Sequence, residues 1–389
     1  MPLIDSKSVQ KLVLKNGEMF VPEAITKAIE SCVSSSYEEV QQEIDRLKEL
    51  YKSYIELDKP IEVEYMGDST IDAYLVNYLP RNTLIPKLLF LSISDHPVLK
   101  NVPDKIRILD LGSGTGGIVI GFLDLLRSEH LSHTFAEIIC CEMSEPALQR
   151  QIKLLNKLKF SNCKVWHSTV DFTEPGAYEA KLNKLAPYDF IVSANLMTEL
   201  SKEHVNALLP QLPNLLTENG ILLLAEPPRI YVNKLVVEIS RTLKELGLYQ
   251  FYPCPPGYQC HKEQCWVWLR EEFECPDIYV EGQSITVTNI LKSTWGIYCR
   301  SSHSMYELLK SQSPSLTWGV AAPFGDELDP VEKMDYEVCT SDGITTIPHI
   351  RRKALCRRRN EVVSRGSILG FNEALKPVLS WHPLYKLEL

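Results

Sequence analysis

Three cysteines stand close together in the segment YPCPPGYQCHKEQCWVW, which holds Cys254, Cys260 and Cys265. Its paired prolines and its glycine favour an irregular loop over a helix or a strand. Clustered thiols in a chain without a secretion signal more often bind a metal than form disulfides. The spacing C-x5-C-x4-C leaves zinc and an iron–sulfur cluster equally open, and both need a fourth ligand. The candidates for that ligand are His261, Cys275 and Cys339.

Four glycines follow a short apolar run in the segment ILDLGSGTGG. Glycines between a strand and a helix let backbone N–H groups approach a ligand at the helix N-terminus. A phosphate-binding P-loop is excluded because no Gly-Lys-Ser/Thr follows. Gly112, Gly114 and Gly117 also satisfy the G-x-G-x-x-G spacing of dinucleotide sites. The loop by itself therefore indicates a nucleotide-type cofactor and leaves S-adenosylmethionine (SAM) and NAD open.

Acidic residues around the glycine loop favour SAM over NAD. Asp110 completes the D-L-G-x-G-x-G pattern of Rossmann-like methyltransferases, in which a carboxylate can hold the cationic amino group of the methionine half and would repel a pyrophosphate. Glu142 ends the second strand, where it can accept hydrogen bonds from ribose hydroxyls. Asp171 and Asn195 follow the next two strands, where they would meet the adenine and the methyl group. The predicted cofactor contacts are Asp110, Gly112, Ser113, Gly114, Thr115, Gly116, Glu142, Met143, Asp171 and Asn195.

Catalytic residues do not follow from the sequence in the same way. The segment SANLMTEL after the fourth strand lacks the Asn-Pro-Pro-Tyr motif of base-amine methyltransferases, and no nucleophilic cysteine follows the fourth or fifth strand. Glu199 and Glu226 are acids that could act as bases, and a capping or packing role is as good an interpretation. The sequence thus predicts a cofactor pocket and leaves the general base open.

Alternating strands and helices must bring these residues to one edge of a sheet. Five apolar runs read as strands: IRILDLG, AEIICCEM, CKVWHSTV, YDFIVSAN and GILLLAEP. Amphipathic segments between them read as helices, which predicts an α/β, doubly wound and mostly parallel sheet of the Rossmann-like SAM methyltransferase class. Around it we predict an N-terminal helical region over 1–100, the SAM-binding domain over 101–250, and a β-rich, cysteine-ligated extension over 251–389.

Composition limits the partners of the chain. No run of 18 apolar residues predicts a membrane span, and the N-terminus lacks an apolar signal core, so we expect a cytoplasmic protein without membrane contact. The net charge of −9 argues against a surface coated with nucleic acid. The segment HIRRKALCRRRN nevertheless holds five arginines and a lysine, which could bind RNA phosphates or simply form a solvated strand pair.

Several motifs in order carry a resemblance to a known family. They are AYLVNYLPRNTLIPKLLFLS, ILDLGSGTGG, ANLMTELSKEHVNALLPQL, GILLLAEPP, YPCPPGYQCHKEQCW and YEVCTSDG. Over about residues 70–370 the chain resembles the methyltransferase-like family of small-ribosomal-subunit assembly factors, which has mitochondrial members and bacterial relatives. The family loop usually reads Pro-Cys-Pro-His and Trp-Cys-His-Phe, whereas here Pro256 follows Pro255 and the third cysteine lies in QCWVW.

The resemblance implies a ligand set and a partner. It implies a structural [4Fe–4S] cluster held by Cys254, Cys260, Cys265 and Cys339. It also implies a SAM-dependent methyltransferase-like protein that acts on the small ribosomal subunit or its rRNA. Two alternatives stay open: an assembly factor that binds SAM without catalysis, and a methyltransferase of a small molecule, which the acidic composition would suit.

Overall fold

The fold is described from a computed structural model of the chain, in which the described residues from 317 onwards are given by their backbone alone. The described residues are 13–15, 18–53, 67–93, 104–127, 131, 134–174, 176–227, 230–254, 269–300, 304–312, 315, 317–323, 333–340, 343–351, 368–371, 377–382 and 385–388.

The predicted N-terminal helical region is confirmed within these ranges. Its helices are α1 Glu23–Glu30, α2 Tyr37–Ser53, α3 Asp68–Asn77, α4 Leu79–Asn82 and α5 Ile85–Ser92. The apolar segment from residue 70 to 93 is divided among three helices. Pro80 and Pro86 each lie in the first turn of a helix, where the missing N–H costs no hydrogen bond.

Eighteen strands lie in the described part of the chain. They are β1 Leu14–Lys15, β2 Glu18–Phe20, β3 Lys105–Leu111, β4 Phe135–Glu142, β5 Cys163–Thr169, β6 Tyr188–Ala194, β7 Leu216–Glu226, β8 Tyr249–Tyr252, β9 Leu269–Glu274, β10 Ile278–Val280, β11 Gln283–Ile285, β12 Ile290–Cys299, β13 Thr317–Pro323, β14 Lys333–Thr340, β15 Gly343–Arg351, β16 Ile368–Phe371, β17 Pro377–His382 and β18 Tyr385–Glu388. The five predicted strands of the Rossmann-like domain correspond to β3–β7.

The central sheet has the predicted doubly wound arrangement. Its strands lie in the order β1-β2-β9-β12-β7-β6-β3-β4-β5, and β8 also pairs with β12. The five strands from β7 to β5 are parallel to one another, and β12 joins them antiparallel to β7. Strand order runs one way from β3 to β5 and the other way from β6 to β7. The adjacent strands β3 and β6 therefore form a topological switch point, where open α/β sheets bind ligands.

Helices cover both faces of this sheet. Those that follow the N-terminal region are α6 Gly117–Leu126, α7 Glu145–Leu158, α8 Glu179–Leu182, α9 Lys202–Leu208, α10 Leu212–Leu215, α11 Ile230–Glu245 and α12 Met305–Gln312. Alternate residues of β4 enter two separate cores: Cys140 packs with α6, α7 and the N-terminal helices, and Cys141 with α8–α11. Both thiols are completely buried, which explains why the strands read as continuous apolar runs.

The region after residue 250 contributes antiparallel strands, in agreement with the predicted β-rich extension. A six-stranded sheet runs β15-β14-β13-β16-β17-β18, and its pairs are antiparallel. In the hairpin of β14 and β15, Thr340 pairs with Gly343. By contrast, β8, β9 and β12 belong to the central sheet, so that sheet extends to residue 299.

Candidate functional site: a two-part cavity at the carboxyl edge of the sheet

A cavity of about 830 Å³ lies at the switch point between β3 and β6. Eight of the ten predicted cofactor contacts line it, namely Gly112, Ser113, Gly114, Thr115, Glu142, Met143, Asp171 and Asn195. They follow four different strands and meet because the carboxyl ends of parallel strands share one edge. The other two predicted contacts, Asp110 and Gly116, are buried beside the cavity and are not part of its lining.

The glycine loop has a conformation that requires glycine. The backbone φ angles of Gly112, Gly114 and Gly116 are +69°, +52° and +96°, in the region that other residues rarely adopt. A Cβ at Gly114 would have no neighbour within 4 Å and would project into open space, which leaves room for a ligand against the backbone. A Cβ at Gly116 would lie 2.7 Å from Cγ of Gln151 on α7. The absence of a side chain at Gly114 therefore leaves space for a ligand beside the loop. At Gly116 it allows Gln151 of α7 to pack against the loop.

Glu142 links this loop to the end of β4. Its Oε2 accepts a hydrogen bond from the Gly114 backbone N–H at 2.8 Å, and its Oε1 accepts one from the Ser144 N–H at 2.9 Å. Burial raises the pKa of Glu142, and these backbone bonds counteract the rise. Each carboxylate oxygen can accept a second bond. The geometry therefore lets Glu142 hold the loop and a ligand hydroxyl at once.

Asp110 lies beneath the loop, in the core of the sheet. It is completely buried, and neither carboxylate oxygen has a hydrogen-bond partner among the described residues. Burial, and after it the charge of Glu142, raise the pKa of Asp110 well above its usual value. Buried polar atoms normally have partners. An orphaned carboxylate below a ligand loop fits a cationic group at this end of the cavity, although Asp110 does not line the cavity wall as the sequence interpretation supposed.

The strand ends on either side complete the cofactor half of the cavity. Met143 is 56% exposed, unusually so for a large apolar side chain, and lies at the rim beside Glu142. Asp171 forms a local turn, in which its Oδ1 accepts bonds from the N–H and hydroxyl of Thr173 at 2.8 and 2.7 Å. Asn195 adopts a φ of +64° directly after β6, and its N–H donates to Ala225 O at 2.9 Å. These residues offer an apolar surface and hydrogen-bonding groups, which suits a nucleoside.

The two candidate bases have different positions. Glu226 is buried, and its carboxylate accepts bonds from the Met197 N–H at 3.0 Å and from the Thr198 hydroxyl at 3.0 Å. Burial raises the pKa of Glu226 to about 8 against these bonds. Its contacts favour the alternative role, in which it holds the loop after β6 in place. Glu199 is half-buried and lines the cavity, so it is the acid that a ligand can reach.

A group of tyrosines that the sequence interpretation missed also lines the cavity. We call Tyr51, Tyr74, Tyr78 and Arg81 the tyrosine cluster; all four line the cavity. The rings of Tyr74 and Tyr78 stack at 4.8 Å between centroids, and those of Tyr51 and Tyr78 lie 5.6 Å apart. The hydroxyls of Tyr51 and Tyr74 share a hydrogen bond. The one available signal was the helical spacing of Tyr74, Tyr78 and Arg81 in AYLVNYLPRN.

Close packing holds this wall against the Rossmann-like domain. A Cβ at Gly117 would lie 2.6 Å from Cβ of Asn82, and a Cβ at Gly121 would lie 2.2 Å from the carbonyl oxygen of Thr83. Two glycines one turn apart on α6 therefore let the α4 segment approach the helix backbone. Lys87 on α5 adds a buried ion pair with Asp124 on α6, at 3.0 Å.

A second anchor joins α3 to α7. The completely buried Asp72 accepts hydrogen bonds from the N–H groups of Ser34 and Ser35 at 2.8 and 2.9 Å. Its other oxygen accepts one from Nε of Arg150 at 3.0 Å. Together with the α6 contacts, this network anchors the N-terminal helices whose side chains line part of the cavity.

The predicted cysteine site falls largely outside the described residues. Cys260 and Cys265 lie there, Cys254 is half-buried after β8, and Cys339 lies in β14. Within the described ranges, no group of three His, Cys, Asp or Glu side chains could hold a metal ion. The [4Fe–4S] cluster and its zinc alternative therefore stay predictions.

Comparison with known proteins finds a match to a methyltransferase family within part of the chain. Residues 109–222 match a family described as a methyltransferase domain. The chain is 27% identical over 218 residues to probable polyketide synthase 27 of Dictyostelium discoideum, which covers 52% of this chain and 8% of that protein. It is 30% identical over 173 residues to probable polyketide synthase 29 of the same organism, covering 43% and 5%. The chain thus spans less than a tenth of the length of these relatives.

Solved structures of methyltransferases are among those to which the chain is similar. Magnesium protoporphyrin IX methyltransferase from Synechocystis PCC 6803 has a TM-score of 0.35 and 14% identity, over 66% of this chain and 93% of that one. Fibrillarin from Aeropyrum pernix has a TM-score of 0.31 and 12% identity, over 56% and 76%. TM-scores this low do not indicate which acceptor the chain would methylate.

Together with the sheet order, the family match makes the chain SAM-methyltransferase-like. The narrower resemblance to ribosomal assembly factors is not confirmed by these matches. No helix in the described part is both long and apolar enough to cross a membrane.

Proposed function

We propose that the protein transfers a methyl group from SAM to a small acceptor molecule held in the same cavity. The observation that carries the proposal is the two-part cavity itself, with the glycine loop and Glu142 on one side and the tyrosine cluster on the other. Its volume of about 830 Å³ lies within the range of about 300–1,000 Å³ typical of small-molecule sites. A cavity of this size has room for a cofactor and a compact acceptor.

The residues of the cavity would divide the work of the reaction. SAM, when bound, supplies an electrophilic methyl group and leaves as the thioether. Glu142 and the backbone of the glycine loop would hold the nucleoside and methionine parts, and the orphaned Asp110 fits the nearby positive charge. Asn195 lies at the switch point, where the acceptor must meet the methyl group. Glu199, which lines the cavity there, is our candidate for accepting the proton that the nucleophile loses.

Calorimetry with S-adenosylhomocysteine (SAH) tests the cofactor half directly. We expect the full chain to bind SAH, and Glu142→Ala to weaken binding about tenfold or more, because a buried charged hydrogen-bond acceptor is lost. Glu145→Ala is the matched control, since this exposed glutamate lies three residues further on and outside the cavity. Absence of SAH binding by the unchanged protein would overturn the proposal.

A second candidate is methylation or assembly of the small ribosomal subunit. It is supported by the ordered motifs of the family resemblance and by the basic segment from residue 351 to 359, most of which lies outside the described residues. Transfer of label from methyl-labelled SAM into RNA rather than into small molecules would support it. About four irons and four sulfides per chain, lost in Cys339→Ser, would support the cluster that this candidate implies.

A further inference from the structure

We infer that Arg81 binds the carboxylate of the amino-acid part of the cofactor, so that the N-terminal helices complete the SAM site. This inference rests on the proposed function, because it adds a ligand contact to the same cavity. Arg81 lies outside residues 109–222, the part of the chain that matches the methyltransferase family. Three properties of the molecule support it: the charges that line the cavity, the packing of α4, and the unpaired carboxylate of Asp110.

The cavity offers an anion one enclosed cation. Among the described residues, the charged side chains that line it are Lys48, Arg81, Glu142, Asp171 and Glu199. The side chain of Lys48 is 51% exposed, and its Nζ lies 3.8 Å from the Asp45 carboxylate on the same helix, so this lysine faces solvent and already has a partner. A carboxylate inside the cavity would be repelled by the acids and attracted to Arg81.

Arg81 has no counter-ion in the described part of the chain. Arg150, another enclosed cation, pairs with Asp72 at 3.0 Å, whereas Arg81 forms no ion pair with a described residue. Its guanidinium carbon lies 4.1 Å from the centroid of the Tyr78 ring. Burial lowers the pKa of Arg81, because desolvation disfavours its charged form. Enclosed charges normally have an opposite charge beside them, and a planar guanidinium binds a carboxylate through two parallel N–H bonds.

The α4 segment that carries Arg81 packs against the start of α6, directly after the glycine loop. A Cβ at Gly117, the first residue of α6, would lie 2.6 Å from Cβ of Asn82 and 3.4 Å from the carbonyl oxygen of Leu79. Moreover, α4 packs more extensively on α6 than on β12. Leu79 and Asn82 share the face of α4 that meets α6, and Tyr78 and Arg81 share the neighbouring face. Arg81 therefore enters the cavity from a segment that is fixed at the glycine-loop end.

An unpaired charge of opposite sign lies beneath the same loop. Asp110 is completely buried, and neither of its carboxylate oxygens has a hydrogen-bond partner among the described residues. The loop separates Asp110 on β3 from Gly117 on α6, against which the segment of Arg81 packs. SAM ends in an α-amino acid, whose ammonium and carboxylate groups are bonded to one carbon. Such a group supplies a counter-ion to Asp110 and to Arg81 at once, whereas an acceptor with a carboxylate alone would leave Asp110 unpaired.

Calorimetry with two ligands that differ only in the carboxylate tests the inference. We expect the full chain to bind SAH about tenfold or more tightly than decarboxylated SAH, which keeps the amine, because a charge-assisted pair is lost. Arg81→Met should weaken SAH binding about tenfold or more and should leave binding of decarboxylated SAH no weaker, which also shows that the variant is folded. Arg81→Lys should keep part of the preference for SAH. Arg46→Met, on an exposed part of α2, is the control and should change neither affinity.

The pattern of loss across the two ligands distinguishes the possible failures. An unchanged SAH affinity in Arg81→Met would overturn the inference and leave an acceptor as the partner of Arg81. Equal weakening of both ligands would also overturn it, because it would assign Arg81 a structural role. Equal binding of the two ligands by the unchanged protein would overturn the inference while the proposed function stands. Failure of the unchanged protein to bind either ligand would refute the proposed function, and this inference with it.

Discussion

The two halves of the cavity are built in different ways. In the cofactor half, backbone groups and a few strand-end side chains line the cavity, and the Gly114 N–H donates a hydrogen bond of 2.8 Å to Glu142. In the tyrosine half, side chains from α2, α3 and α4 converge, and the nearest sequence neighbours of Tyr51 in the cluster are 23 residues away. The comparison indicates that the lining at the glycine loop follows from one turn of chain, whereas the lining formed by the tyrosine cluster depends on how whole helices dock.

Breaking the docking of the helices should have the largest effect. In Gly121→Ala the new Cβ would lie 2.2 Å from the Thr83 carbonyl oxygen, so backbone must move. We expect the free energy of unfolding to fall by about 1–3 kcal/mol, as for other overpacked positions, in urea denaturation. Gly67→Ala is the control, because its Cβ would meet its nearest neighbour at an ordinary 3.8 Å. Equal stability of the two variants would contradict the close approach of α4 to α6.

A methyl group added in the cofactor half should weaken SAH binding and lower the stability of the protein only slightly. In Gly114→Ala the methyl group would project into the cavity from a residue with a φ of +52°. We expect SAH affinity to fall about tenfold, with a loss of stability of about 1 kcal/mol from backbone strain. Gly247→Ala carries a similar strain at φ +83° with nothing within 4 Å, but does not line the cavity. If both variants lose SAH affinity equally, the glycine loop is not the ligand surface.

A pH dependence of stability should follow from Glu226, the buried acid that holds the loop after β6. The pKa of Glu226 is raised from 4.5 to about 8 by burial, so the folded protein binds a proton there that the unfolded chain has lost. Stabilisation from such an acid is complete below its unfolded pKa and is lost as the pH rises through its folded pKa. We therefore expect stability to decrease between about pH 5 and pH 8. The measurement is urea denaturation at a series of pH values.

A variant isolates the contribution of Glu226 to this slope. Glu226→Gln should decrease less in stability over that range, although hydrogen bonds from Met197 and Thr198 make the difference modest. Asp110 and Glu142, whose pKa values are also raised, should keep part of the slope in place. Glu145→Gln is the control, because the pKa of this exposed acid is lowered and it titrates below the range. A slope unchanged by Glu226→Gln would mean that burial does not perturb this acid.

Local pattern in the sequence determined the sheet, the glycine loop and most of the cofactor half. Strand-length apolar runs such as the one around Cys140 and Cys141 can be satisfied only when both faces are buried, and Gly112 and Gly114 adopt angles that few other residues tolerate. These properties depend on residues that are close together in the chain. The spacing of residue types in the sequence therefore predicts them. The identity of Glu142 as a strand-end carboxylate follows for the same reason.

Only the tertiary structure decided which residues face the cofactor half across the cavity. Tyr51 and Arg81 both contact the Tyr78 ring. The segment that carries Tyr78 and Arg81 is held in place because Gly117 and Gly121 admit α4, and because Asp72 ties α3 to Arg150 of α7. Tertiary packing also placed Asp110 beneath the loop and joined Glu226 to the loop after β6. Such contacts connect residues far apart in the chain, and their energies depend on burial and mutual geometry. The spacing of residues in the sequence predicts neither burial nor mutual geometry.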